Sequence, residues 1–269
     1  LQFIYQTQLY ERESVIIFDE VQQQPLARQA IKHLVKDNRY DYIETGSLIS
    51  VRSKSSNIII PSEETKINMY PMDYEEFRWA LGDTTTIPLL RSAFEQKISL
   101  GDAVHRKLMR DFRLYMLVGG MPQAVATYIT TNNFSEVDLV KRDIISLYEE
   151  DFIKIDNTGR AKAIYNAIPS QLSKNAARYQ IGNNGNKVKI DRIINILKDM
   201  EDSMTTNIAF HSDDPNIGLA LTKDEEYFKM YCSDTGLFVI LAFKDSDITE
   251  NIIYNKHLND KLSNNLVYV

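Results

Sequence analysis

Cysteine is almost missing from this chain: Cys232 stands alone among 269 residues. A single thiol closes no internal disulfide, so the fold must be held by its core, and a reducing, cytoplasmic setting is expected. Histidine is scarce too. His33, His105, His211 and His257 are scattered without the spacing of metal ligands, which leaves no zinc-type site to propose. No apolar run is long enough to cross a membrane, no signal peptide is expected, and no Ser-His-Asp order can be defended. The net charge of −6 and a pI near 5.4 exclude a global pull toward nucleic acid or anionic lipid. Also missing is any G-x-x-x-x-G-K-[ST] loop. The glycines of "GNNGNKV", residues 182–188, lack the G-K-[ST] ending and follow no clear strand, so they read as a turn. The first residue is Leu, not Met, and "LQFIYQTQLYERE" enters in mid-pattern. A piece of a longer protein is expected.

What is present starts with "SVIIFDEVQ", Ser14 to Gln22. Val15 to Phe18 reads as a parallel-type strand, apolar on both faces, ending in Asp19 and Glu20. That is the shape of a Walker B strand. In P-loop NTPases the Asp of such a strand holds Mg²⁺, and the neighbouring acid orients the attacking water. The plain alternative is a strand terminus with two solvated carboxylates. Gln24 to Lys36 reads as a helix with Pro25 in its first turn and Leu26, Ala30, Ile31 and Leu34 on one face. "YDYIETGS" follows as a second strand. Its end, Thr45-Gly46-Ser47, places hydroxyls where a γ-phosphate sensor would stand, or forms an ordinary turn. Ile67 to Tyr70 reads as a further short strand before Pro71, and Asp73 as the cap of a helix carrying Phe77, Trp79 and Leu81.

Beyond Asp73 helical spacing dominates. Leu89 to Ile98, Val104 to Leu117 and Gln123 to Ile129 each fit a helix, with Gly119, Gly120 and Pro122 breaking the pattern between two of them. Val137, Val140, Ile144, Tyr148 and Phe152 form one longer stripe. Ile164, Ile168 and Leu172 suggest a helix disturbed by Pro169. Ile190 to Met200 suggests another, with Ile193, Ile194, Leu197 and Met200 inward. Short strands at Ile208 to Phe210 and Tyr227 to Tyr231 then flank a polar loop, a winged-helix-like order. Cys232 reads as a buried strand residue. The tail from Lys244 lacks a clear core of its own.

Several of these runs together resemble a known family. "SVIIFDEVQQQPLARQAIKHLVKDNRYDYIETGSLIS", "INMYPMDYEEFRWALGD", "LVGGMPQAV", "SLYEEDFIKI" and "KMYCSDTGL" resemble, in order, segments of prokaryotic AAA-type ATPases that carry an uncharacterised domain after the ATPase module. The resemblance covers Ser14 to about Leu241. It implies an α/β partial P-loop (AAA-type) sheet in residues 1–70, a helical lid in 71–157, a winged-helix-like α+β domain in 158–243, and the start of a further region in 244–269. It implies that Asp19 is the Mg²⁺ aspartate, Glu20 the catalytic acid, Thr45 or Ser47 the sensor, and that Gly119, Gly120 and Pro122 approach the nucleotide from the lid. Arg52 is a positional candidate for the arginine that follows the sensor strand.

ATP and Mg²⁺ are then cofactors of the full-length parent, an ATP-dependent switch. No tightly bound cofactor is expected on this chain, which lacks the Walker A loop and should be inactive by itself. Two alternatives stand beside this: a DNA- or protein-binding winged-helix module, and a degenerate scaffold without ligand. The expected partner is an unknown protein or a second copy; nucleic acid is disfavoured by charge, and a membrane is not expected.

Overall fold

The computed structural model describes residues 2–46, 65–173, 179, 190–214, 216 and 218–243. They fall into two compact units, Leu1–Met69 and Tyr70–Val269.

The first unit is a small βαβ arrangement. Helix α1 (Gln2–Tyr5) precedes strand β1 (Val15–Phe18). A 3₁₀ turn (Val21–Gln23) leads into α2 (Pro25–Asp37), which starts at Pro25, where a missing N–H costs nothing. Asn38 ends α2 in the left-handed region, a conformation that Asn tolerates. Strand β2 (Asp41–Glu44) then pairs with β1 in parallel, Ile16 beside Tyr42 and Ile17 beside Ile43. Val21 and Ile31 are buried and form the inside of this unit.

Three expectations change here. Val15 and Ile17 are not buried but 51% and 61% exposed, and Ile43 is 50% exposed. Among the described residues the sheet has only two strands, whereas a parallel strand is buried on both faces only when layers cover both. Leu26 points outward, 77% exposed, because only one stripe of α2 meets the unit's interior and Ile31 occupies it. Ile67 to Tyr70 forms no strand. It joins neither sheet among the described residues, and Pro71 removes the next donor.

The second unit is mostly helical. Helix α3 (Tyr74–Ala80) is closed by a capping box: Glu76 N donates to Asp73 Oδ1 at 2.8 Å and Asp73 N donates to Glu76 Oε2 at 2.9 Å. Then come α4 (Thr86–Gln96), α5 (Gly101–Val118), α6 (Pro122–Thr131), α7 (Phe134–Ile155), α8 (Arg160–Ser173) and α9 (Ile190–Asp202). An antiparallel hairpin, β3 (Thr206–Ser212) and β4 (Lys223–Cys232), precedes α10 (Thr235–Ala242). The stripe on α7 turns inward, with Val137, Ile144 and Phe152 buried. Helix α9 buries Ile193, Leu197 and Met200 as its spacing implies, and Ile196 beside them, while Ile194 is only half-buried. Pro169 lies inside α8, which runs on through it.

One large core joins α5, α7, α8, α9, β4 and α10, and a smaller one groups Phe77, Val118, Ala124, Val125 and Val137. Helix α10, Thr-Gly-Leu-Phe-Val-Ile-Leu-Ala, is apolar all round, and its residues Thr235 to Leu241 are all buried. A helix without a polar face belongs at the centre of a core. Ser47, Arg52, the 182–188 turn and the 244–269 tail lie outside the described residues.

Candidate functional site

Strand β1 ends where its apolar run ends, and the next two residues are acids. Thr45 follows β2 in the same way, so parallel pairing brings it beside them. Four bonds tie the two strand ends together, the first from Thr45 N to Phe18 O at 2.9 Å. Thr45 Oγ1 donates to Asp19 Oδ1 in a short hydrogen bond. Glu20 N donates to Thr45 Oγ1 at 3.2 Å, and Val21 N donates to Thr45 O at 3.0 Å. Glu20 itself sits at φ 53°, ψ 46°, a left-handed conformation uncommon for a residue other than Gly, Asn or Asp. The Thr45 bonds hold it there. Asp19, Glu20 and Thr45 are thus gathered at the carboxyl edge of a parallel pair, the place where open α/β sheets bind ligands.

The donor set is all hard oxygen: two carboxylates and a hydroxyl. Mg²⁺ is commonly held by one or two carboxylates with phosphate oxygens and water completing its shell, and these residues fit that partial role. No group of three or more His, Cys, Asp or Glu among the described residues could hold an ion unaided. Of the expected sensors, Thr45 is at the site and Ser47 lies outside the described residues.

Gly119 and Gly120 occupy a different setting, within the second unit. Gly119 ends α5 at φ 83°, and a Cβ there would lie 2.4 Å from Asp234 Oδ1. A Cβ on Gly120 would lie 2.0 Å from the Met72 carbonyl oxygen, and one on Gly236 would lie 2.4 Å from the Val118 carbonyl oxygen. Small residues are needed because three backbone segments meet here. Met72 N donates to Gly120 O at 2.7 Å, and Tyr115 Oη donates to Met72 O at 2.9 Å. Pro122 opens α6 at its first turn. The close neighbours of the two glycines are therefore Asp234, Gly236 and Met72.

Asp234 is the centre of that junction. Its Oδ1 accepts from Leu237 N at 2.8 Å and caps α10, and its Oδ2 accepts from Gly120 N at 2.5 Å. Burial pushes its carboxyl up from the ordinary value, against the amides that favour the charged form. Lys141, fully buried on α7, donates to Leu117 O at 2.8 Å and pairs with Asp138 at 2.9 Å. Burial pushes this ammonium down, and Asp138 partly offsets it. Sequence reasoning gave neither residue a role, although Asp234 stands in the quoted run KMYCSDTGL. A signal existed for each: Asp before Thr-Gly-Leu and an apolar run is a helix cap, and Lys141 lies four residues after Val137, on the inward stripe.

Comparison with known proteins adds two matches. Residues 1–78 match the AAA domain. Residues 109–247, more than half of the chain, match a domain of unknown function (DUF8612). No curated protein and no solved structure gives a match. No helix among the described residues is long and apolar enough to cross a membrane. The second match spans Gly119, Gly120 and Asp234 and the first spans Asp19, Glu20 and Thr45, so residues 1–78 are similar to an AAA-type domain and the chain belongs to the family of this domain of unknown function.

Proposed function

We propose that this protein is an ATP-dependent switch whose nucleotide site includes the carboxyl edge of β1 and β2. The observation that carries it is the bonded cluster of Asp19, Glu20 and Thr45 at that edge, in a segment that matches the AAA domain. Asp19 takes the Mg²⁺ position and Glu20 orients the attacking water, with Thr45 as the sensor between them. Mg²⁺ and ATP supply the phosphoryl centre and its charge neutralisation when bound. A threonine hydroxyl has one proton, and here it is given to Asp19. Thr45 therefore acts as a sensor only by re-aiming that proton away from the carboxylate. A phosphate-gripping Walker A loop is absent from these 269 residues, so the chain alone binds nucleotide weakly and does not turn it over.

The order α8, α9, β3, β4 supports a winged-helix-like reading of residues 158–243. Helix α9 carries Arg192 and Lys198 against Asp191, Asp199, Glu201 and Asp202. Such a helix would meet DNA phosphates at an electrostatic cost, which favours a protein-contact role. Gly119, Gly120 and Pro122 act in this reading through the Asp234 junction, which couples the end of α5 to α10.

The test is Mg²⁺-dependent binding and hydrolysis of a fluorescent ATP analogue by the protein expressed from its complete reading frame. Glu20→Gln should keep binding and abolish turnover, and Asp19→Ala should weaken Mg²⁺-dependent binding. Unchanged turnover in Glu20→Gln, or vigorous hydrolysis by residues 1–269 alone, would refute the assignment.

A further inference from the structure

Helix α7 has two apolar faces, and only one is used by the core. On its outer side Leu139, Leu147 and Ile153 are 63%, 59% and 56% exposed. Between them stand Glu136, Asp143 and Glu150, all exposed. These three acids recur every seventh residue, so their side chains line one stripe at intervals of about 10.5 Å. Six acids against three bases leave α7 with a charge of −3. Lys141 pairs with Asp138, Lys154 with Asp151, and Glu149 with Lys162 of α8, while Arg142 is half-buried; the heptad acids Glu136, Asp143 and Glu150 are the exposed charge.

Helix α5 carries the opposite pattern. Four bases against two acids give it +2. Arg106, Met109 and Arg113 repeat the spacing of Glu136, Leu139 and Asp143, with base in place of acid and Met in place of Leu. Arg106 and Met109 are exposed, Arg110 beside them has 71% of its side chain exposed, and Arg113 is half-buried. In parallel register, Arg106 faces one acid, Met109 lies against the leucine that follows it, and Arg110 stands exposed beside them, while Arg113, its Nε buried, marks the inner end of the stripe. This is the complementarity by which flanking charges choose partners along an apolar helix seam.

We infer that the outer face of α7 is the docking surface for α5 of a second copy of this chain. Both halves of the contact exist on every copy. The assembly is therefore a two-fold dimer in which each copy gives both helices, or a ring in which each gives one to either neighbour. The inference is independent of nucleotide binding.

Sedimentation velocity of the full chain at micromolar concentration, in low and high salt, tests it. Wild-type protein should self-associate and dissociate as salt rises. The triple variant Glu136→Lys, Asp143→Lys, Glu150→Lys should weaken association by about tenfold or more, and so should the double variant Arg106→Glu, Arg110→Glu. These are exposed positions, and circular dichroism checks that each variant folds. Mixed together, the two variants should associate again, since each now offers what the other lacks. A wild-type chain that stays monomeric in low salt overturns the inference. So does association that survives both sets of reversals, or a mixture that fails to associate.

Discussion

Replacing Asp234 with Ala removes two buried hydrogen bonds at once. The first is the cap on α10, where loss of a capping carboxylate costs about 1 kcal/mol. The second leaves Gly120 N–H without a partner in a buried position, which costs about 1–3 kcal/mol. Together the loss is about 3 kcal/mol. For a cooperative unit of this size each kcal/mol moves the melting temperature by about 2–4 °C, so Asp234→Ala should melt about 6–12 °C below wild type. Asp234→Asn keeps one acceptor oxygen, serves only one of the two amides, and should lose about half as much. The pH dependence has a definite sign. Burial raises the folded carboxyl above its unfolded value of 3.8, so between those values the native state holds the proton that the unfolded state releases. That contribution is full below the unfolded value and is lost as pH rises through the folded one. The stability gap between wild type and Asp234→Asn should therefore narrow as pH rises from about 4 toward the folded value. Thermal and urea denaturation across that range measure it. A fall of less than about 2 °C for Asp234→Ala would show that the junction does not hold the second unit together.

Gly120→Ala should lose about 3–5 kcal/mol in urea denaturation, because its Cβ meets the Met72 carbonyl. Gly159→Ala, also a glycine but at φ 77° with open space around it, should lose only about 1–2 kcal/mol of backbone strain. Lys141→Met should cost least in acid and neutral solution. A lysine whose folded value is depressed gains stability as pH rises from that value to the ordinary 10.5, so wild type should improve relative to the variant in alkaline denaturation curves. Thr45→Val should speed amide exchange at Glu20 about fivefold, read by two-dimensional NMR, as its acceptor disappears.

Helices were legible wherever one face was apolar and one end was marked. The α7 stripe and the Asp73 cap could be read directly, and the structure adds Glu76 as the reciprocal partner of that cap. Exposure in the first unit could not. Val15 and Ile17 look buried because their neighbours in sequence are apolar, but burial depends on what stacks above them, which periodicity does not encode. The pairing of Asp19 with Thr45 was legible only as strand-end chemistry; the short bond between them depends on parallel register. The glycines at 119 and 120 signalled a close approach without naming what approaches. Asp234 is 114 residues from Gly120, and no local pattern reaches that far.

That separation bears on how the second unit can come into being during synthesis. The turn after α5 emerges from the ribosome long before residues 234–236, so its buried amide has no acceptor until nearly the whole unit has been translated. Closing so long a loop carries a large entropic cost, repaid only when α10 arrives with its apolar surface. Nascent chains ending before Asp234 should stay open to proteases and chaperones, however helical they already are. Dissecting this unit into smaller soluble pieces should fail for the same reason. Helix α10 is the one that makes the earlier ones permanent.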